Sequence, residues 1–415
     1  MEKYDIVVIG GGSAGLASAL AASERGCHSI LVIEQGVECG GILQQCIHNG
    51  FGLHTFKEEL SGPSYAQRFI KKVEDNSDIE VWVQSTVIQM TKDKKLTVVT
   101  PEKGFVEIHA KAIILAMGCR ERTRGAIDIR GTRPKGIYNA GEAQKYLNID
   151  GYLVGRRVFI LGSGDIGLIM ARRMTLEGAK VLGVAELMPY SNGLARNIKQ
   201  CLEDFDIPLY LSHTITQIIG KDNLEKIIIS QVDENRNIVS GTEKEFEVDT
   251  LLLSVGLIPE NRLSEDAGII LDSQTKGAIV DEKYMTLTPG FFACGNVLHV
   301  HDLVDFVSDE ATNAGKYAAE YILETPRNEE TLKQVVKDGI SYVIPQLIHK
   351  NTDHDVECLF RVKRPYKSSE IVITSGDFIK VVKKRSLAPA EMEKVVLKAS
   401  DLQQMHDDIC WEVKE

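Results

Sequence analysis

The chain has no cysteine pair spaced C-x-x-C, no cysteine cluster and no long apolar run. Its eight cysteines stand at 27, 39, 46, 119, 201, 294, 358 and 410. That scatter argues against a disulfide framework or a thiolate zinc site, and reduced thiols in a cytoplasmic protein are expected. No stretch approaches the roughly 20 apolar residues that span a bilayer, so no transmembrane segment is expected. The first strand pattern begins at residue 4 without a charged leader, so no signal peptide is expected either. Basic residues are in deficit: 48 Lys and Arg against 59 Asp and Glu leave a net charge of −11, which argues against nucleic acid and anionic membrane as partners. What is present, 43% hydrophobic and 26% charged residues over 415 positions, suits a globular protein of two or three domains.

The organising stretch is Tyr4-Asp5-Ile6-Val7-Val8-Ile9-Gly10-Gly11-Gly12-Ser13-Ala14-Gly15-Leu16. An apolar run of strand length ends in a glycine turn, and an Ala-rich helical pattern follows. Gly10 permits the turn, Gly12 lets the backbone approach a pyrophosphate, and Gly15 lets the helix pack on the strand. Ser13 and Ala14 then open a helix whose N-terminus faces the phosphates. Ile30-Leu31-Val32-Ile33 reads as the next buried strand, and Glu34 at its end is placed to accept hydrogen bonds from a ribose diol. A glycine turn with no ligand is the bland alternative. The strand before it, the helix after it and the acid beyond favour a dinucleotide.

The design repeats. Arg157-Val158-Phe159-Ile160-Leu161 leads into Gly162-Ser163-Gly164-Asp165-Ile166-Gly167, then a helical pattern, then a strand at 180–185 closed by Glu186. First glycine to acid is the same step in both copies, 10 to 34 and 162 to 186. Two such units imply two dinucleotides, unless the second is a degenerate copy that binds nothing. A carboxylate at Glu186 repels a 2′-phosphate and no arginine adjoins it, which favours NAD(H) over NADP(H).

Between the copies, strands are expected at 79–83 and 87–90, with an edge hairpin around 96–106. Buried strands follow at 110–118, ending Ala116-Met117-Gly118, and at 249–256, ending in Gly256. The expected fold class is α/β: two nested Rossmann-like dinucleotide-binding domains plus a small C-terminal β-rich domain. The second unit, 119–258, is inserted between 1–118 and 259–325. The tail, 326–415, opens at a polar break, Pro326-Arg327-Asn328-Glu329-Glu330. A helix is expected at 330–338, then short strands at 358–362, 370–374, 377–384 and 392–397, possible parts of a sandwich. Its basic runs, Lys363-Arg364 and Lys380-Val381-Val382-Lys383-Lys384-Arg385, read as a solvated face or as a docking surface for an acidic partner.

This layout resembles the two-dinucleotide-binding-domain flavoproteins of the pyridine nucleotide–disulfide oxidoreductase superfamily. The resemblance implies FAD in the first unit and NAD(P)H in the inserted one. Thr286-Leu287-Thr288-Pro289-Gly290-Phe291-Phe292-Ala293-Cys294-Gly295-Asn296 resembles the family's T-x-x-P-G-[hydrophobic]-[FY]-A-x-G-D segment, whose acid bonds a ribityl hydroxyl. Asn296 replaces that acid and keeps the hydrogen bond without the charge. A helix at about 305–323 is expected to aim its positive end at the flavin. The resemblance further implies cofactor contacts at Gly41, Gln45, Val87, Ala116, Met117, Gly118, Gly256 and Gly295.

Two segments narrow the match. Gly118-Cys119-Arg120-Glu121-Arg122, with Gly131-Thr132-Arg133-Pro134-Lys135-Gly136-Ile137, looks like the branch of sarcosine oxidase alpha, opine dehydrogenase and hydrogen cyanide synthase subunits. The segments from Gly40 to Gly52 and from Leu298 to Asp305 are similar to FAD/NAD oxidoreductases found beside anaerobic glycerol-3-phosphate dehydrogenase-like proteins. What this implies is an electron donor or acceptor that is a small molecule or a protein, such as a glycerol-3-phosphate dehydrogenase-like subunit, and an oligomeric assembly.

Disulfide reductases of the superfamily carry a C-x4-C pair, whereas here six residues separate Cys39 from Cys46. The leading expectation is therefore an FAD-dependent NAD(H) oxidoreductase that relays electrons to or from a partner. The alternative is a self-contained NADH-dependent reductase of peroxide, oxygen or a small disulfide through Cys46, its pKa lowered by a helix N-terminus or by His48. A third reading is a non-catalytic flavoprotein scaffold. His48, His299 and His301 are expected to converge over the flavin, with His301 the first choice to carry a proton. Against these stand packing for Cys46 and backbone hydrogen bonds for the loop histidines. No metal is expected.

Overall fold

Strands apolar on both faces need a parallel sheet covered from both sides, and the opening of the chain builds one. The computed structural model describes residues 2–324 and 330–415. In chain order come β1 (Glu2–Ile9), α1 (Ser13–Glu24), β2 (Ile30–Ile33), α2 (Gly62–Glu74), β3 (Ile79–Trp82), β4 (Thr86–Met90), β5 (Lys95–Thr100) and β6 (Gly104–Leu115). The sheet order is β3-β2-β1-β6-β5-β4. Side chains alternate between two cores: Ile6, Val8, Ile30, Val32 and Ile114 face α1 and α2, and Val7, Ile9, Leu31, Ile33 and Ile113 line the other face. The expected hairpin at 96–106 and strand at 110–118 are not separate. One strand, β6, pairs antiparallel with β5 over its first half and parallel with β1 over its second, and no turn residue interrupts it.

The chain divides into two compact units, Met1–Cys119 with Pro259–Glu415, and Arg120–Ile258. The inserted unit holds β7 (Ile137–Asn139), α3 (Ala140–Asn148), β8 (Arg157–Leu161), α4 (Asp165–Leu176), β9 (Lys180–Glu186), β10 (Leu209–Leu211), β11 (His213–Ile219), β12 (Lys226–Gln231), β13 (Lys244–Glu247) and β14 (Thr250–Leu253). Its parallel sheet runs β7-β14-β8-β9-β10. Val158 and Ile160 face α3 and α4, while Phe159 and Leu161 face the antiparallel sheet β11-β12-β13 through Ile215, Ile218, Ile227 and Ile229.

Back in the first unit, β15 (Phe291–Ala293) adds parallel to β6, and α5 (Val304–Leu323) packs on α1. The helices approach closely because a Cβ on Gly315 would lie 2.1 Å from the Ser18 carbonyl oxygen.

The tail holds β16 (Thr331–Val336), β17 (Ile340–Ile344), β18 (Leu347–His349), β19 (Val356–Val362), β20 (Tyr366–Ser375), β21 (Phe378–Leu387), β22 (Glu393–Leu397) and β23 (Ile409–Lys414). They form two sheets, β18-β16-β23-β20-β21 and β17-β19-β22, around one core that includes Trp411, Phe360, Ile371 and Leu397. The helix expected at 330–338 is strand β16. Thr331, Val335 and Val336 are β-branched, Leu332 is buried, and pairing with β18 and β23 uses the backbone. The expected break at 326–330 lies, apart from Glu330, outside the described residues.

Candidate functional site

The first glycine turn is a cradle that only glycine can build. Gly10 has φ of +108°, and a Cβ there would lie 2.4 Å from the Ala116 carbonyl oxygen. A Cβ on Gly15 would lie 1.8 Å from the Gly10 oxygen, so α1 rises directly off the turn. Gly12 faces open space, with nothing within 4 Å of its Cβ position, and α1 has no side-chain cap. The N–H groups at Ser13 and Ala14 are therefore presented to whatever fills that space. Glu34 is buried and accepts hydrogen bonds from Gly11 N (2.7 Å) and Gly36 N (2.6 Å). Gly41 opens a short 3-10 turn, residues 41–45, over the cradle, its Cβ position 3.2 Å from Gly12 Cα. Gln45 is buried there. Val87 is buried in the sheet core, so its backbone rather than its side chain is what a ligand could meet. Met117 packs partly buried beside the same core, and Gly118 turns at φ +71°.

The second cradle repeats this to the hydrogen bond. Gly162 (φ +100°) would place a Cβ 2.0 Å from the Ser254 oxygen, and Gly167 one 2.6 Å from the Gly162 oxygen. Gly164 precedes α4, which again lacks a side-chain cap. Ile166 packs against the core beneath the helix. Glu186 accepts from Ser163 N (2.9 Å) and Met188 N (2.9 Å), the positions that match Gly11 and Gly36. Gly256, at φ +104°, follows β14.

A third segment joins the first cradle. A Cβ on Gly295 would lie 2.8 Å from Ala14 Cβ, so the 286–296 segment ends against the start of α1. Asn296 Oδ1 accepts from His301 N (3.0 Å), and its Nδ2 donates to Cys119 Sγ (3.6 Å). Asp305 in the first turn of α5 is buried and accepts from Gly52 N (3.1 Å) and Thr55 N (2.8 Å).

Of the three histidines, His299 and His301 come together, with rings 4.1 Å apart, on Glu310 of α5. His48 instead packs on Phe51, at 4.9 Å, with Nδ1 3.1 Å from the Asn49 carbonyl. Glu310 accepts from Gly295 N (2.6 Å) and from His299 Nε2 (2.8 Å). Burial alone would raise its carboxyl, but His301 and His299 outweigh this and hold it well below the usual range. Burial, with His301 alongside, pushes His299 down. Among the described residues, His299 Nδ1 and His301 Nε2 are buried without a well-aligned hydrogen-bond partner, although His301 Nε2 lies 3.3 Å from Glu310, and each costs about 1–3 kcal/mol if nothing satisfies it.

Cys46 is half-buried behind Gly62, and its thiol donates to the Ile42 carbonyl (3.2 Å). The expected lowering of its pKa does not occur: burial pushes the thiol up to about 12.

Two residues here escaped the sequence reading. Glu310 was legible in principle, as a carboxylate on the apolar stripe of α5 between Val307 and Ala311. Arg361 was not. On β19 it points away from the sandwich core, yet it pairs with Asp302 and donates to the Val300 carbonyl (3.2 Å), tying the tail to the loop after His301.

The family model described as Pyridine nucleotide-disulphide oxidoreductase matches residues 4–318. The hydrogen cyanide synthase subunit HcnB of Pseudomonas protegens is 23% identical over 314 residues, which is 71% of this chain and 64% of that one. The chain thus spans less than two thirds of that relative's length. Thioredoxin reductase of T. acidophilum superposes with a TM-score of 0.64 at 23% identity, covering 78% of this chain and 100% of its own. A NAD-dependent persulfide reductase from A. fulgidus covers 97% of this chain and 77% of its own, with a TM-score of 0.58 at 18% identity. Among the described residues no helix is long and apolar enough to cross a membrane. The chain belongs to the pyridine nucleotide-disulphide oxidoreductase family.

Proposed function

We propose that this oxidoreductase passes electrons between NAD(H) and a separate partner, with FAD in the first cradle and NAD(H) in the second. The observation that carries the reading is the repeated acid: Glu34 and Glu186 hold matching backbone N–H groups at matching distances beside uncapped helix N-termini. FAD, when bound, supplies the two-electron exchange with nicotinamide. The chain's own residues bind and orient. Gly10, Gly12, Ser13, Ala14 and Gly15 present backbone to one pyrophosphate, with Glu34 on its ribose. Gly41, Gln45, Val87, Ala116, Met117, Gly118, Gly295 and Asn296 line the rest of that site. Gly162, Ser163, Gly164, Asp165, Ile166, Gly167 and Gly256 take the other dinucleotide, and the Glu186 carboxylate disfavours a 2′-phosphate there. His301 is a positioning residue, since its backbone N–H holds Asn296 and its ring is committed to the Glu310 cluster.

A relay is favoured over a Cys46 reductase because a thiol with a pKa of about 12 supplies almost no thiolate near neutrality. The partner fits a dehydrogenase subunit of the glycerol-3-phosphate type or a small redox protein, in an oligomeric cytoplasmic assembly. A relative named as one part of a multi-subunit synthase supports that choice. The test is anaerobic mixing with NADH, followed by dye, peroxide or disulfide. Flavin bleaching with turnover on dye alone is expected. Peroxide or disulfide turnover that disappears in Cys46→Ser would favour the self-contained reductase, and no bleaching would leave only a scaffold.

A further inference from the structure

His299, His301 and Glu310 form a closed donor set that the nucleotide-binding reading does not use. Their side chains are 1%, 2% and 2% exposed, and one ligand atom from each lies within 4.8 Å of the others. Glu310 Oε2 stands 2.8 Å from His299 Nε2 and 3.3 Å from His301 Nε2. Bonds of 2.0–2.2 Å to a tetrahedral ion set donor atoms roughly 3.4 Å apart, so the two contacts to Glu310 fall short by about 0.6 Å at His299 and about 0.1 Å at His301.

His301 and Glu310 have the outer contacts of metal ligands, whereas His299 Nδ1 has no hydrogen-bond partner among the described residues. His301 Nδ1 lies 3.0 Å from the His299 carbonyl and must donate to it, which turns Nε2 toward Glu310. The far oxygen of Glu310 is held by Gly295 N at 2.6 Å. A ring nitrogen on a carbonyl and a hydrogen-bonded carboxylate are the usual supports of such ligands.

Protons alone satisfy the cluster poorly. At 3.3 Å from Glu310 Oε2, His301 Nε2 makes no well-aligned hydrogen bond among the described residues. A single anionic carboxylate also faces two buried imidazoles, a donor set of two nitrogens and one oxygen that suits a borderline divalent ion.

We infer that His299, His301 and Glu310 bind one divalent transition-metal ion of the zinc type, pinning the 295–301 loop to α5. The site stands whether or not the nucleotide assignments do. The test uses the full-length chain, stripped by chelator dialysis and titrated with Zn²⁺ alone, with bound metal counted by mass spectrometry. About one equivalent per chain is expected. Glu310→Gln and His301→Gln should each weaken binding by more than the roughly 10–100-fold that loss of an outer support costs. His28→Gln, on an exposed histidine paired with Asp78, should leave it unchanged. Because the buried variants risk misfolding, zinc-edge X-ray absorption on the wild-type protein gives an independent reading: a nitrogen and oxygen shell with imidazole scattering is expected. No stoichiometric Zn²⁺ uptake, binding that survives Glu310→Gln, or sulfur in the shell would each overturn the inference.

Discussion

The two glycine cradles share their acid and their turn but differ at the helix start. The first turn of α1 contains no acidic residue, and the loop before it is glycine at three successive positions, 10 to 12. In the second copy Ser163 stands where Gly11 does, and α4 begins with Asp165. Asp165 Oδ1 accepts from Leu194 N (2.9 Å) and Asn197 Nδ2 (2.6 Å), while Ser163 Oγ donates to Glu186 (2.7 Å) and accepts from Asn192 N (3.0 Å). The second cradle thus satisfies part of itself and sets a negative charge at the positive end of its helix. On the proposed assignment, this contrast is what a retained dinucleotide in the first cradle and an exchanging one in the second call for.

The sharpest way to break this comparison is to fill one cradle at a time. Gly10→Ala sets a Cβ 2.4 Å from Ala116 O, and Gly162→Ala one 2.0 Å from Ser254 O, both at positive φ. Each should cost roughly 1–3 kcal/mol of strain beyond the clash. Gly10→Ala should purify colourless. Gly162→Ala should stay yellow but no longer bleach with NADH. A colourless Gly162→Ala would reverse the assignment.

Next in size, Glu186→Ala removes a charged acceptor worth about 1.5–3 kcal/mol, so NADH titration should show at least a roughly tenfold loss of affinity. An unchanged affinity would remove Glu186 from the nucleotide site.

The first unit also differs in carrying the sandwich, and that joint titrates. The hydrogen bond it donates to Glu282 raises His349 above its usual 6.5, and burial with the Glu282 charge raises Asp281 to about 6. Both hold protons more tightly folded than unfolded. Their contributions are therefore complete in acid, Asp281's below 3.8 and His349's below 6.5, and are lost as pH rises through the folded values. Glu282 works oppositely. Burial would raise it, but His349 outweighs this and holds it below 4.5, so its share is lost only in acid. Denaturant unfolding of the first unit should weaken by of order 1 kcal/mol between pH 6 and 8, a slope that His349→Gln should flatten. An unaltered slope in the variant would place the titration elsewhere.

The smallest effect sharpens the contrast most. Asp165→Asn keeps an oxygen for Leu194 N and removes the charge from the start of α4. About 0.3–1 kcal/mol of tighter nucleotide binding should follow, read as a roughly two- to fivefold lower Kd for NADH. Weaker binding instead would mean that Asp165 serves the loop more than it opposes the ligand.

The cradles were legible because their determinants are local. Gly10, Gly15 and Glu34 occupy set steps along a strand, turn and helix, and unbroken apolar runs of strand length marked the strands that carry them. Local patterns failed where a segment's partners lie far away. Thr331–Val336 is short enough to suit helix or strand, and pairing with strands distant in sequence decided it. His48 and His301 both flank glycine segments, yet only His301 meets His299 and Glu310, because the Gly295 turn folds back on α5.

By itself, the sequence determined that there are two nested cradles and which glycines and acids build them, since backbone conformation and side-chain spacing are properties of neighbours along the chain. Only the tertiary structure decided that Cys46 is half-buried with a raised pKa, that Glu310 gathers two histidines, and that Arg361 reaches Asp302 from the tail. Burial and charge pairing depend on which surfaces meet, and that is settled by packing between segments tens of residues apart as well as by those close at hand.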